Sequence, residues 1–466
     1  MSSDIAWLSA AELADAYRSR KLSPVEVVRS LIQRMEKYDG IVNSFITLDS
    51  EAALETAKLA EYEIFHGRQR GNLHGIPVGL KDNIDVAGLP TTCHSKILLN
   101  NLPRRDAHVV SGLRAAGAVI LGKQSLHEFA FGGPSPELPF PHAKHPWNTE
   151  YHPGGSSSGS GVALASGFTP LSIGTDAGGS IRNPAGSCGL VGLKPTYDLL
   201  SRRGVFPVSP SVEHVGPMAR TVRDIAVTLD ELIQIDRRLP ETSSPLDLKL
   251  PELEQGVKGF RIGFVRNFHE EDMIADPQLI SALNEVARTL EREGAIVRDV
   301  RLPRVQEFAA VHRVILLSEA WNVHAPWLRT RPGDYTTPTR RKVMAGAFLT
   351  AGNLVQACRS RDALIGSVDA AFGEVDVLLT ASALDPVCRI ADQAELLRTY
   401  ARHARSPFNL TGHPALAMMS GRATNGLPLS VQFVGRRMGE ATLLRTARAY
   451  ERATQWMSTN PKPFNA

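Results

Sequence analysis

Four cysteines in 466 residues, none in a Cys-x-x-Cys pair, leave neither a disulfide framework nor a zinc-ligand spacing to read. Cys93, Cys188, Cys358 and Cys388 are therefore expected to be reduced thiols of an intracellular protein. No apolar run is long enough to span a bilayer, so no membrane association is expected. The formal charge of +4 is small for this length and no basic block appears, which removes the electrostatic footprint of nucleic-acid binding. Met1 to Ala10 lacks a charged segment followed by an apolar one, so nothing reads as a signal or transit peptide and the cytoplasm is expected. The 14 histidines include no His-x-x-x-His pair on a helix, and no metal site is expected.

What remains is the composition of a globular protein, 43% hydrophobic and 21% charged, with too little Gly and Pro for disorder. Two helix starts open the chain. Ser9-Ala10-Ala11-Glu12 and Ser23-Pro24-Val25-Glu26 both have the form of a capping box, the second with Pro at the first helical position. Val27, Val28, Leu31, Ile32 and Met35 then recur at helical spacing. From Gly75 onward, short apolar runs such as Ile76–Leu80, Ala118–Leu121, Leu171–Gly174 and Phe260–Val265 alternate with helical stretches, which predicts an α/β architecture. Leu239 to Glu254, rich in Pro, Ser and acidic residues, predicts an exposed connection inside the fold. Glu440 to Glu451 predicts a last helix.

Two short motifs fail on their surroundings. Gly117–Lys123 matches most of a phosphate-binding loop, but its interior is an apolar strand and Gln124 stands where a Ser or Thr is needed. Gly155-Ser156-Ser157-Ser158-Gly159 has the spacing of a nucleophile elbow without the strand that must precede it. A longer constellation is coherent. It consists of Gly75–Asn83 with Lys81, Gly154–Gly161 with Ser156, Gly174–Arg182 with Ser180, and Gly192-Leu193-Lys194-Pro195-Thr196. A serine hydroxyl needs a base within hydrogen-bond reach. Lysine serves only when neutral, which takes desolvation. Lys81 ends an apolar run, and glycines around Ser180 leave backbone N–H groups free to meet a developing oxyanion.

The block from 154 to 196 resembles the signature of the amidase signature family. The resemblance extends to Leu126–Ala130, Phe408-Asn409-Leu410-Thr411-Gly412-His413-Pro414 and Gln432–Gly435, and weakens between about 240 and 400. It implies one α/β domain over 1–466, with a mixed twisted sheet of about eleven strands surrounded by helices. The signature core would lie at about 75–200 and a more variable pocket region at about 240–400. It further implies a triad of Ser180 as nucleophile, Ser156 as bridging serine behind a cis peptide, and Lys81 as base. The amides of Ala177, Gly178, Gly179 and Ser180 would form the oxyanion hole. Ser157, Thr175, Asp176 and Arg182 would support the loops, with Asp176 and Arg182 read by default as a structural ion pair. No metal or organic cofactor is implied.

The Pro-rich stretch from Gly132 to Trp147 departs from the family's commoner loop and is expected to frame an open, partly apolar pocket. Trp321, Trp327 and Tyr335 are expected in packing rather than in the pocket wall. The substrate is accordingly expected to be a small neutral or aromatic amide, anilide or carbamate (urethane), cleaved by a monomer or homodimer. The alternative is the glutaminase subunit of a tRNA-dependent amidotransferase.

Overall fold

The structure is a computed structural model and describes residues 5–236, 246–454, 456 and 459–461. Eleven strands build one sheet: β1 (Phe45–Leu48), β2 (Pro77–Lys81), β3 (Val119–Gln124), β4 (Leu171–Asp176), β5 (Val191–Lys194), β6 (His214–Ala219), β7 (Arg261–Phe264), β8 (Ile296–Asp299), β9 (Val377–Ala381), β10 (Ala415–Arg422) and β11 (Pro428–Gly435). Their order is β1-β3-β2-β4-β6-β5-β10-β11-β9-β7-β8. The sheet is mixed. β2 runs parallel to β3 and β4, β4 runs antiparallel to β6, and the β9-β7-β8 edge is parallel again. Helices surround it, so the expected α/β architecture with about eleven strands is found.

Every residue of β2, β3, β4, β5 and β6 is buried. Strands covered on both faces lose the in–out alternation and read as continuous apolar runs. A polar side chain at the end of such a strand is delivered into the interior, and that is what positions the site. Both capping boxes form at the N-terminus. Ser9 and Ser23 each accept from the amide three residues on, and Glu12 and Glu26 accept from the amides of Ser9 and Ser23. Such caps contribute about 1 kcal/mol each. The predicted stripe from Val27 to Met35 is buried and packs with Ile76, just ahead of β2, and with Val119 and Leu121 of β3.

The last helix runs two residues further than expected, over Glu440–Ala453. Of the predicted connection at Leu239–Glu254, residues 239–245 lie outside the described residues. Leu246 and Leu248 are buried in the main core rather than exposed, because both are apolar side chains in reach of it. The phosphate-loop look-alike is a strand, and Lys123 forms a fully buried ion pair with Asp82 at 2.9 Å. Trp327 and Tyr335 gather around Phe129, with ring centroids at 6.3 and 5.4 Å, and Trp321 packs on the same cluster. Among the described residues, no helix is long and apolar enough to cross a membrane.

Candidate active site

Lys81 is the last residue of β2 and is fully buried. Its Nζ donates to Ser156 Oγ at 2.8 Å, Thr175 Oγ1 at 2.8 Å and Thr175 O at 3.2 Å. Thr175 stands near the end of the adjoining strand β4, and Asn83 Nδ2 also donates to its hydroxyl. Burial pushes the Lys81 ammonium down to about 7, against the opposing pull of Glu213 and then Asp176. Glu213 is itself buried and pushed upward by that burial, while its Oε2 accepts the amide of Val208 at 3.0 Å. A lysine near neutrality over a serine hydroxyl has the makings of a base.

Ser156 follows a cis peptide bond from Gly155. Its carbonyl accepts the amide of His127, and Asn183 Nδ2 donates to the carbonyl of Gly155. Glycine at 155 is a packing requirement, since a Cβ there would stand 2.3 Å from the His127 ring. The loop then turns directly into the helix Ser158–Ala165 with no strand before it, unlike a nucleophile elbow. The Ser157 amide donates to the carbonyl of Ser180 at 3.1 Å, and its hydroxyl donates to Thr175 O at 3.3 Å. These bonds tie the two glycine- and serine-rich loops together.

Ser180 lies between β4 and the helix Arg182–Cys188. Asp176 organises this loop. Its Oδ1 accepts the Gly179 amide at 2.6 Å, and its Oδ2 accepts the amides of Ile181 and Arg182. Burial alone would raise the Asp176 carboxyl, but the charge and hydrogen bonds of Arg182 hold it far below the usual carboxylate range. That ion pair is bidentate, with Nε on Oδ2 and Nη2 on Oδ1, both at 3.0 Å. The remaining Arg182 donors reach Arg405 O, Gln432 Oε1 and Asn409 Oδ1. The ion pair expected between Asp176 and Arg182 is present, with both side chains fully buried.

The carbonyls of the same loop are held from outside. His312 Nε2 donates to Ala177 O at 2.6 Å, and Asn409 Nδ2 donates to Asp176 O at 2.8 Å. Among the described residues, the amides of Ala177, Gly178 and Ser180 have no acceptor. The Gly179 amide differs from expectation, because the Asp176 carboxylate already takes it. Gly179 itself has φ +119°, a conformation that favours glycine, and packs against the Arg405 side chain. Lys81, Ser156 and Thr175 are thus joined by hydrogen bonds. Ser180 is tied to Ser157 through its backbone, while its hydroxyl bonds to nothing among the described residues. Hydrogen bonds at such sites commonly tighten only around substrate.

Gly178, Gly179 and Ser180 line a cavity of about 730 Å³. Its wall includes Val208, Met273, Leu316 and Leu396, and Gly132 to Pro134 of the Pro-rich stretch. Arg313, Lys342 and Arg405 line it as well, and no Asp or Glu does among the described residues. Nor do the described residues hold a cluster of three His, Cys, Asp or Glu able to bind a metal ion. Sequence reasoning assigned no role to Glu213, His312, Asn409 or Arg405. Only Asn409 stood in a segment with a signal of its own, the Phe408–Pro414 stretch.

A family model described as Amidase matches residues 26–444. The A subunit of the glutamyl-tRNA(Gln) amidotransferase of Geobacter metallireducens is 36% identical over 475 residues, which cover 96% of this chain and 97% of that protein. Native peptide amidase from Stenotrophomonas maltophilia superposes with a TM-score of 0.82 at 29% identity, covering 96% of this chain and 97% of that one. A chain from a vestigial protein complex, described as revealing the origins of an s-triazine catabolic enzyme, reaches a TM-score of 0.88 at 30% identity. It covers 96% of this chain and 98% of its own.

Proposed function

The chain belongs to the amidase signature family, and from that premise we propose that it hydrolyses an amide-type C–N bond by acyl transfer to Ser180. One observation carries the reading: a fully buried lysine, pushed toward neutrality, 2.8 Å from the hydroxyl of Ser156, behind the loop that bears Ser180. Neutral Lys81 takes the Ser156 proton as Ser156 takes that of Ser180, whose Oγ attacks the carbonyl carbon. The amides of Ala177, Gly178 and Ser180 receive the oxyanion; one such donor is worth about 10²–10³ in rate. Ser156 then protonates the departing nitrogen, and water hydrolyses the acyl-enzyme by the reverse transfers. This route calls for no metal or organic cofactor.

For the substrate, likeness supports the glutaminase subunit of a tRNA-dependent amidotransferase more strongly than it supports a free-standing small-amide hydrolase. The amidotransferase relatives match over nearly their whole length. In that reading the chain works in the cytoplasm with further subunits. One feature of the cavity favours the second reading, a hydrolase of a linear amide, anilide or carbamate acting alone. Glutamine is a zwitterion, and its ammonium would find cations and apolar groups along the wall but no carboxylate. A buried charge without a partner is costly. We read the whole chain as one catalytic domain in either case, on the ground that its strands make one sheet.

The test has two parts. A fluorophosphonate should label the purified protein at Ser180, and Ser180→Ala should abolish both labelling and turnover without loss of fold. Labelling at another serine would refute the assignment. Ammonia release from glutamine that appears only with amidotransferase partner subunits supports the first setting. Turnover of simple amides, anilides or carbamates by the chain alone supports the second.

A further inference from the structure

Arg405 lies at the start of the helix Ser406–Leu410 and is only 4% exposed, yet its charge is unmatched. Its Nε and Nη1 are buried without a hydrogen-bond partner, and no side-chain nitrogen of Arg405 forms a hydrogen bond or ion pair among the described residues. The side chain lies against Gly179, where a Cβ would come within 2.5 Å of Nε, and it lines the cavity beside Ser180. The buried carboxylate of Asp176, whose charge Arg405 feels, offers no relief, because both its oxygens are already engaged by Arg182. His312 and His403, packed in the same region, are held neutral by burial. Burial and the neighbouring Arg182 lower Arg405 to about 10, which leaves the guanidinium charged at neutral pH.

A guanidinium kept out of water with idle donors is an unfavourable arrangement unless something completes it. Its planar fork matches a carboxylate. The other charges on the cavity wall, Arg313 and Lys342, have the same sign, so the field inside favours an anion. We propose that the substrate carries a carboxylate near its scissile amide, that Arg405 binds this carboxylate, and that the site selects acid-bearing amides with no ammonium group. The proposal rests on the Ser180 reading and replaces the neutral substrate expected from the sequence with an anionic one. Half-amides of dicarboxylic acids represent the class.

The experiment measures binding, so that it does not depend on turnover. Calorimetry on the full chain carrying Ser180→Ala compares succinamate, glutaramate and adipamate, each with its uncharged diamide. At the best-fitting length the half-amide should bind about tenfold or more tighter than the diamide. Adding Arg405→Gln should bring that ratio close to one. Arg405→Lys, which keeps the charge but loses the fork, should retain part of it and serves where the glutamine variant does not fold. Equal binding of acid and diamide at all three lengths, no binding of either, or a ratio that survives Arg405→Gln in folded protein overturns the proposal. Fluorophosphonate labelling of the unmodified chain reports on Ser180 separately, so failure of the nucleophile assignment and failure of the anion site are told apart.

Discussion

Glu213→Gln should leave Lys81 neutral, and so able to accept a proton, at lower pH. The carboxylate of Glu213 is the strongest single influence opposing the effect of burial on Lys81. Lys81 acts when neutral, its pKa in the fold lies below the ordinary lysine value, and activity appears as pH rises through that lowered pKa. With the pKa at about 7, roughly a tenth of Lys81 is neutral at pH 6 and about nine-tenths at pH 8. An opposite charge at close range raises a lysine by about one unit or more, equal to about 1.4 kcal/mol per unit. Removing it should shift the midpoint of the acid limb downward by about one unit. At a fixed pH where Glu213 is ionised, the neutral-to-charged ratio then rises by up to about tenfold. Because Glu213 is itself raised by burial, the wild-type limb should be a broad two-proton rise and that of the variant a single-proton one. Glutamine keeps a carbonyl oxygen to accept the Val208 amide, so the loop should hold. The assay is kcat/KM from pH 5 to 9 on one amide, with chemistry shown to limit the rate. A midpoint that stays in place or moves upward would refute the electrostatic argument.

Three further outcomes follow from the same geometry. Ser156→Ala should cost considerably more on an amide than on a matched p-nitrophenyl ester, because an amine needs protonation to leave and a nitrophenolate needs little; equal losses in acylation-limited assays would make Ser156 merely structural. Asp176→Asn leaves Arg182 buried without its carboxylate and should lower stability by about 3–5 kcal/mol in urea unfolding, whereas a change under about 1 kcal/mol would remove Asp176 from the role of loop organiser. Gly155→Ala drives a methyl into the His127 ring at 2.3 Å, so it should cost about 1–3 kcal/mol of stability together with most of the activity, and wild-type behaviour in both would contradict the packing described here.

The sequence by itself determined the local elements and the parts list of the site. Ser9–Glu12 and Ser23–Glu26 are legible as helix starts because a capping box is completed within four residues. The runs at 76–80 and 118–121 are legible as buried strands because helices on both faces remove polar alternation. An apolar run ending in Lys81 and two glycine- and serine-rich loops bearing Ser156 and Ser180 singled out those three residues, and the acid and base six residues apart in Asp176 and Arg182 suggested their pairing. Tertiary structure alone decided what those groups are worth. Lys81 reaches Thr175 because β2 and β4 are neighbours in the sheet, although 94 residues separate the two along the chain. The Gly179 amide is spent on Asp176 rather than left for an oxyanion, a choice of hydrogen-bond partner that no spacing encodes. Glu213, His312 and Arg405 stand in segments with no motif. Their influence comes from being buried where water cannot screen charge, and that burial exists only after distant strands and helices have packed.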